Sequence, residues 1–393
     1  MRLIPENFNN EISLRITKIR KEMEAYGVDA VLVGSNANIY YTSGRFFRGY
    51  VYIPLMGNVL WFVIKPQVYE SQENVYFIRK PENIPTILNE LNIKFPSNIG
   101  LEENDLTYSD IIRLKNLFPD SILKNSSLIL KNSRKIKTLW EINEIKEDAK
   151  HQVKVYGEVK ECYQPGMTDL RLQIEIEKKL RLEGSLGVSR VSGNLMEINL
   201  GSVISGDNAD NPGPYEFAMG GKGVHEALPV GADNSIILEG KTVMIDMNGA
   251  FNGYQSDMTR VWCLGEISDL ARKAHDCSIK ILRTLEKLAI PGVAIKNLYE
   301  IAVKIVDEEG LQDYFMGHRG KVGFIGHGVG IELNELPVIM SRSNDIVTEG
   351  MTIALEPKFV IPRVGAVGVE NTYVVTKNGL ENLTVFPEEI QKF

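Results

Sequence analysis

Five residues of this chain have the types and settings needed to hold cations. Asp246 follows the apolar run Val243-Met-Ile, and Asp257 lies eleven positions on (257 − 246). A buried strand, a turn at Asn252-Gly253 and a returning strand would bring both carboxylates to one place. Two adjacent carboxylates repel unless a proton or a cation sits between them. His327 lies in Phe324-Ile-Gly-His-Gly-Val-Gly330, where backbone can pack closely around an imidazole. Glu356 ends the apolar run Met351-Thr-Ile-Ala-Leu, and Glu370 lies inside Val367-Gly-Val-Glu-Asn-Thr-Tyr-Val-Val375. Charges inside strands of that apolarity are costly to bury alone. Four carboxylates and one imidazole suit two divalent cations bridged by carboxylates and a water, a set that supports hydrolysis.

These residues need a scaffold, and the chain offers one in two parts. Residues 12–26 carry Ile12, Ile16, Ile19 and Met23 at helical spacing, with Gly27 as the stop. A buried strand is expected from Asp29 to Gly34. An aromatic loop follows at 45–52, with Phe46, Phe47, Tyr50 and Tyr52 as a candidate contact surface. Strands at 58–64 and 75–79 and a helix near 83–92 complete an alternating pattern, which predicts a small α/β domain. The segment 125–137 is polar and basic, and Thr138 with Glu141 forms a capping box for a long helix running to about Cys162. The domain boundary is therefore placed at 135, giving domains 1–135 and 136–393. Helices are expected at 168–183, 267–289 and 295–309, and a strand near 200–205. The stretch 184–235 is rich in Gly, Pro, Asn and Asp, and its residues 220–223 read as loop, either a flexible connection or a substrate-side loop. Gly220-Gly-Lys-Gly223 within it lacks the Gly-Lys-Ser/Thr of a phosphate loop.

Composition narrows the function classes. The 393 residues are 44% hydrophobic and 24% charged, ordinary values for a globular protein, and the formal net charge is −7. That balance argues against nucleic acid as a partner. Cys162, Cys263 and Cys277 form no CxxC, so neither a disulfide framework nor a thiolate zinc site is expected. No stretch reaches the roughly 18 uncharged apolar residues of a membrane span, and Met1–Asn7 lacks a signal-peptide apolar region. A cytoplasmic location is expected.

The motifs Gly-Tyr-Gln-Ser-Asp-Met-Thr-Arg260, Gly-His-Gly-Val-Gly330, Leu-Glu-Pro357 and Val-Glu-Asn-Thr372 resemble, in order, those of the pita-bread metallopeptidases: Xaa-Pro dipeptidase (prolidase), aminopeptidase P and methionine aminopeptidase, with creatinase as a relative. Gly27-Val-Asp-Ala-Val-Leu-Val33 and Asn38-Ile-Tyr-Tyr-Thr-Ser-Gly44 are similar to the creatinase/prolidase N-terminal domain. The resemblance implies an α/β (α+β) chain with a small N-terminal domain and a pita-bread catalytic domain. It also implies roles. Asp246 would chelate one metal, Asp257 and Glu370 would bridge both, and His327 and Glu356 would complete the other shell. Glu356 would serve as general base and acid for the attacking water. Arg260 would orient a ligand carboxylate. The implied ions are Mn²⁺ or Co²⁺, with Zn²⁺ or Fe²⁺ as alternatives, and the implied assembly is a homodimer approached through the loop at 46–52.

The chain departs from the family where substrate binds. A His in a His-Glu-Xaa-Pro segment is usual there; here Ile331-Glu-Leu-Asn-Glu-Leu-Pro337 carries Asn334, which donates a hydrogen bond but holds no positive charge. Pro229 stands where a second His is usual, with His225 nearby, and Asn248 stands where Gly is usual. His318 is a candidate replacement. His151 and His275 are expected to face solvent. The expected function is metal-dependent hydrolysis of the N-terminal or Xaa-Pro bond of a short peptide. The alternatives are hydrolysis of a C–N bond in a small amide, or a binding protein without catalysis.

Overall fold

The helical periodicity near the N-terminus folds as α1 (Asn9–Tyr26), which buries Ile12, Ile16, Ile19 and Met23. It ends at Gly27 in the left-handed conformation (φ 63°), where glycine carries no Cβ penalty. The computed structural model describes residues 2–193 and 197–393, and the chain divides into the units Met1–Arg134 and Lys135–Phe393.

In the first unit β1 (Ala30–Val33) is followed by α2 (Asn36–Ser43), β2 (Arg48–Pro54), β3 (Leu60–Lys65), β4 (Val75–Phe77), α3 (Ile84–Glu90), β5 (Asn98–Leu101), α4 (Tyr108–Lys115), β6 (Ile122–Asn125) and α5 (Ser127–Lys135). The strands form one six-stranded sheet in the order β4-β3-β2-β1-β5-β6. One segment differs from its sequence reading, and one for which no element was expected is helical. The aromatic stretch is mainly strand β2, with Phe47 and Tyr52 buried in the core and only Phe46 well exposed. The polar, basic run at 125–137 is mainly helix α5, because Ile129 and Leu130 give it one buried face.

The second unit opens with α6 (Leu139–Gly157), whose Thr138–Glu141 capping box is formed in both directions. The expected continuous helix to Cys162 breaks at Glu158, and a short α7 (Val159–Cys162) follows. Then come α8 (Asp169–Glu183), β7 (Gly201–Ser205), β8 (Thr242–Met247), β9 (Thr259–Cys263), α9 (Asp269–Leu288) and α10 (Ile295–Glu308). The remainder is strand: β10 (Phe324–Gly328), β11 (Glu335–Met340), β12 (Thr352–Leu355), β13 (Lys358–Ile361), β14 (Gly365–Gly368), β15 (Asn371–Thr376), β16 (Gly379–Asn382) and β17 (Gln391–Lys392). Two larger sheets result, β11-β10-β12-β15-β16 and β17-β9-β8-β7, with the hairpin β13-β14 beside them. Helix α9 packs on β13, β14 and β16, and α10 on β11. Ile281, Leu282 and Leu285 of α9 are fully buried in this core.

Candidate metal centre

Strand register brings the five sequence-predicted residues together. Asp246 lies on β8 opposite Thr259 of β9. The backbones of Thr259 and Glu370 exchange hydrogen bonds in an isolated antiparallel bridge, which joins the two larger sheets at this point. Leu355 of β12 pairs with Asn371 on one side and with Gly326 on the other. Glu356 follows Leu355 and His327 follows Gly326, so the two are diagonal neighbours on one face of this antiparallel pair, with Glu370 on the far side of Glu356. Residues 248–258 form a longer excursion than the tight hairpin expected between the aspartates. Asp257 is fixed by Thr372: its N–H donates to Thr372 Oγ1 (2.8 Å), which donates back to the Asp257 carbonyl (2.9 Å).

The side chains converge. Ligand atoms of Asp257, His327 and Glu370 all lie within 4.8 Å of one another. His327 Nε2 is 3.8 Å from Asp257 Oδ2 and 3.5 Å from Glu356 Oε1. On the other side of the ring, His327 Nδ1 lies 3.1 Å from the Gly328 carbonyl, so the proton belongs on Nδ1 and the Nε2 lone pair faces the carboxylates.

One residue of the cluster escaped the sequence reading. Lys358, the first residue of β13 and 1% exposed, sends its ammonium among the carboxylates. Nζ donates to Asp246 Oδ2 (2.8 Å), Glu356 Oε2 (2.8 Å) and Glu370 Oε2 (2.9 Å). An ammonium has three N–H donors, and all three are used. Burial disfavours its charge, yet Asp246, Glu356 and Glu370 hold it well above the usual lysine range. Four carboxylates against one ammonium still leave negative charge in excess. Burial, then the neighbouring Glu370 and Asp246 charges, push Asp257 well above its ordinary value. Burial pushes Glu370 up to about 8, with Glu356 and Asp246 adding to the rise and Lys358 opposing it.

Do these residues fit a divalent cation? Glu370 Oε2 accepts from Lys358 and from Thr259 Oγ1 (2.7 Å), while Oε1 is buried with no hydrogen-bond partner. A buried carboxylate oxygen without a partner is costly. The orphaned oxygen, the His327 lone pair turned toward oxygens and the surplus negative charge are all met by one cation beside Asp257, His327 and Glu370. Metal of that kind fits this part of the site.

The other predicted site residues behave differently. Arg260 is fully buried and touches no ligand carboxylate side chain. It donates to the carbonyls of Thr259 (2.9 Å), Glu370 (2.8 Å), Thr384 (3.2 Å), Phe386 (3.1 Å) and Pro387 (2.9 Å) and to Asn371 Oδ1 (2.8 Å). It positions Glu370 through the main chain, not through the carboxylate as expected. Asn334 lines the cavity, but its amide is engaged with Ser192: Oδ1 accepts the Ser192 N–H at 2.7 Å and Nδ2 donates to the Ser192 carbonyl at 3.4 Å. His225 is exposed and caps Ala227 N–H, and His318 pairs with Asp210 (3.0 Å) in a separate depression. His151 is exposed beside Glu183. His275, expected to face solvent, is buried: Nδ1 accepts the Gly368 N–H (3.2 Å) and Nε2 donates to the Glu388 carbonyl (2.7 Å). Burial lowers its pKa, which keeps it neutral.

The cluster forms one wall of a cavity of about 400 Å³. Its other walls are largely apolar and include Phe217, Met219, Met244, Phe324, Leu333 and Met340. Among the described lining residues His327 is the only histidine, and Arg342 is the only Lys or Arg.

The family model described as metallopeptidase family M24 matches residues 143–377, more than half of the chain. The chain belongs to metallopeptidase family M24. A second model, the creatinase/prolidase N-terminal domain, matches residues 15–136. A Xaa-Pro dipeptidase of Pyrococcus furiosus is 28% identical over 382 residues, covering 96% of this chain and 99% of that protein. Among solved structures, the prolidase of Pyrococcus furiosus superposes with a TM-score of 0.74 at 26% identity, covering 94% and 99% of the two chains. The prolidase of Pyrococcus horikoshii OT3 gives a TM-score of 0.77 at 24% identity, covering 96% and 99%. This M24 chain is therefore a hydrolase with a pita-bread domain and a creatinase-type N-terminal domain, from a family that works with divalent metal ions. No helix among the described residues is long and apolar enough to cross a membrane.

Proposed function

We propose that this protein is a divalent-metal-dependent peptidase that cleaves the N-terminal residue or the Xaa-Pro bond of short peptides. The observation that carries the reading is the convergence of Asp257, His327, Glu356 and Glu370 at one end of an apolar cavity sized for a small ligand. The likeness to Xaa-Pro dipeptidases supports the substrate class. Bound there, a divalent ion supplies a Lewis acid for the scissile carbonyl and lowers the pKa of a water.

The chain's own residues do the rest. Glu356 Oε2 is anchored by Lys358, so its Oε1 edge is held toward His327 and the cavity, in position to take a proton and return it to the leaving amine. Among the described lining residues there is no second imidazole, and of the cluster's carboxylates Glu356 is the one whose free oxygen lies by His327, so proton handling is assigned to it. The apolar walls take the substrate's side chains and exclude water. Arg342, exposed at the cavity, offers a cation for the carboxylate of a short peptide.

The finer expectations stand as parts of the same proposal. Carboxylate-rich ligation favours Mn²⁺ or Co²⁺ over softer ions. Five potential ligands suit two ions only in an arrangement that leaves Asp246 free, whereas here Lys358 engages it. A cytoplasmic homodimer is the expected form. A second substrate class, small non-peptide amides, is favoured by one observation: the Asn334 amide that would meet a peptide is already committed to Ser192.

The test is a panel of Xaa-Pro dipeptides and short peptides offered to Mn²⁺-loaded protein, with free amino acid as the readout. Turnover of at least one peptide is expected, and its loss in Glu356→Gln. Bound metal with turnover of amides but of no peptide would refute the peptidase reading.

A further inference from the structure

Lys358 divides the carboxylate cluster into two faces. Toward one face, Asp246 Oδ2, Glu356 Oε2 and Glu370 Oε2 all accept from its ammonium at 2.8–2.9 Å. Toward the other, Glu356 Oε1 lies by His327 Nε2 (3.5 Å), Asp257 Oδ2 lies at 3.8 Å, and Glu370 Oε1 is buried without a partner. One face is saturated by a cation that belongs to the chain. The other is short of one.

The fold fixes that cation at the base of a hairpin. Lys358 pairs with Gly368 across the β13–β14 hairpin. A Cβ on Gly368 would stand 2.9 Å from Lys358 Cα and 3.4 Å from its Cγ. The nearest atom to such a Cβ is the Pro357 carbonyl oxygen (2.7 Å), and Gly368 takes φ 137°, so glycine is needed here by the backbone of the hairpin that carries Lys358. The lysine stem is buried along its length, and the ammonium has a full set of acceptors at its end. A divalent ion placed against Asp246 would compete with the ammonium for the same oxygens and be repelled by its charge.

We propose that Lys358 is a built-in cation that takes the place of the Asp246-side metal ion, so that the site holds a single divalent ion beside Asp257, His327 and Glu370. This rests on the reading of the cluster as a metal centre. It does not depend on which substrate is cleaved.

The experiment counts ions. Dialysed wild-type protein, loaded with excess Mn²⁺, is expected to retain one ion per chain by elemental analysis and to show the hyperfine pattern of an isolated Mn²⁺ by electron paramagnetic resonance. Lys358→Ala is expected to retain two ions with a spin-coupled spectrum. Asp246→Asn in the wild-type background is expected to retain one, because Asp246 serves the ammonium and not the ion. That variant keeps the question answerable if Lys358→Ala fails to fold. A wild-type count of two or of zero overturns the proposal. So does a count of one in folded Lys358→Ala, or loss of an ion in Asp246→Asn. Counting needs no substrate. A peptide panel that fails while one ion is bound sinks the peptidase reading alone, and a count of zero sinks both.

Discussion

Arg260 Nη1 donates to the backbone carbonyl of Glu370 at 2.8 Å, while the Glu370 side chain points away into the carboxylate cluster. The guanidinium is the joint between the site and the chain's last segment, because its remaining bonds reach Thr384, Phe386 and Pro387. All six acceptors are neutral, and burial lowers the Arg260 pKa to about 10.

Arg260→Ala would leave several buried carbonyls without donors. Each buried acceptor left unsatisfied costs about 1–3 kcal/mol, so a loss of several kcal/mol is expected. Arg260→Lys should recover little, since one ammonium cannot span acceptors so widely placed. Urea unfolding of both variants decides this; a lysine variant as stable as wild type would show that charge alone suffices.

Glu356→Gln removes one negative charge from a cluster with too many. The metal-free variant is therefore expected to melt no lower than wild type, while turnover falls by roughly 10²–10⁴-fold, the usual worth of general acid–base catalysis. Near-normal turnover would remove Glu356 from its role.

Asn334 ties the backbone at Ser192 through both ends of its amide. Asn334→Ala should speed hydrogen exchange at the Ser192 N–H by at least about tenfold, the equivalent of about 1.4 kcal/mol for one lost local tether. Unchanged exchange there would mean the loop is held by other contacts.

Asp148 supplies the pH prediction. Burial pushes it up to about 7, although it accepts from Phe251 N–H (2.6 Å) and Ser256 Oγ (2.7 Å). The folded protein therefore keeps this proton at pH values where the unfolded chain has released it. Stability from this group is full below about pH 4, declines between about pH 4 and 7, and is constant above. Asp148→Asn does not titrate, so its stability relative to wild type should rise by about 1.4 kcal/mol per pH unit across that window and then level off. Denaturant midpoints at about pH 5 and about pH 8 test the sign; an equal difference at both would mean the carboxyl titrates normally.

The residues of the carboxylate and imidazole cluster are legible in the sequence because a charged residue inside an apolar strand is conspicuous. Glu356 and Glu370 interrupt such runs, and the helices capped by Thr138 and Thr168 announce their own starts. Lys358 was missed although the same argument applied to it. It precedes Phe359-Val-Ile361, an apolar run buried throughout, yet a lysine after a proline reads as a surface strand end. The clue lay in tertiary pairing, not spacing: only the folded strands set Asp246 and Glu370 against its ammonium. His275 failed for a related reason. Its neighbours on α9 are charged, but its own position faces Gly368 and Glu388, partners distant in sequence. Asn334 stands out in the sequence, but its commitment to Ser192 is a tertiary fact that no local pattern encodes.

A cation carried on a side chain differs from a bound ion in one further respect: it has no free concentration. Lys358 is synthesised with its carboxylates, one per chain, and no chelator can withdraw it. Asp246, Glu356 and Glu370 thus keep a counter-charge while the chain folds and through any shortage of metal. The two sheets and the hairpin that carry them can close first, and a divalent ion can bind afterwards.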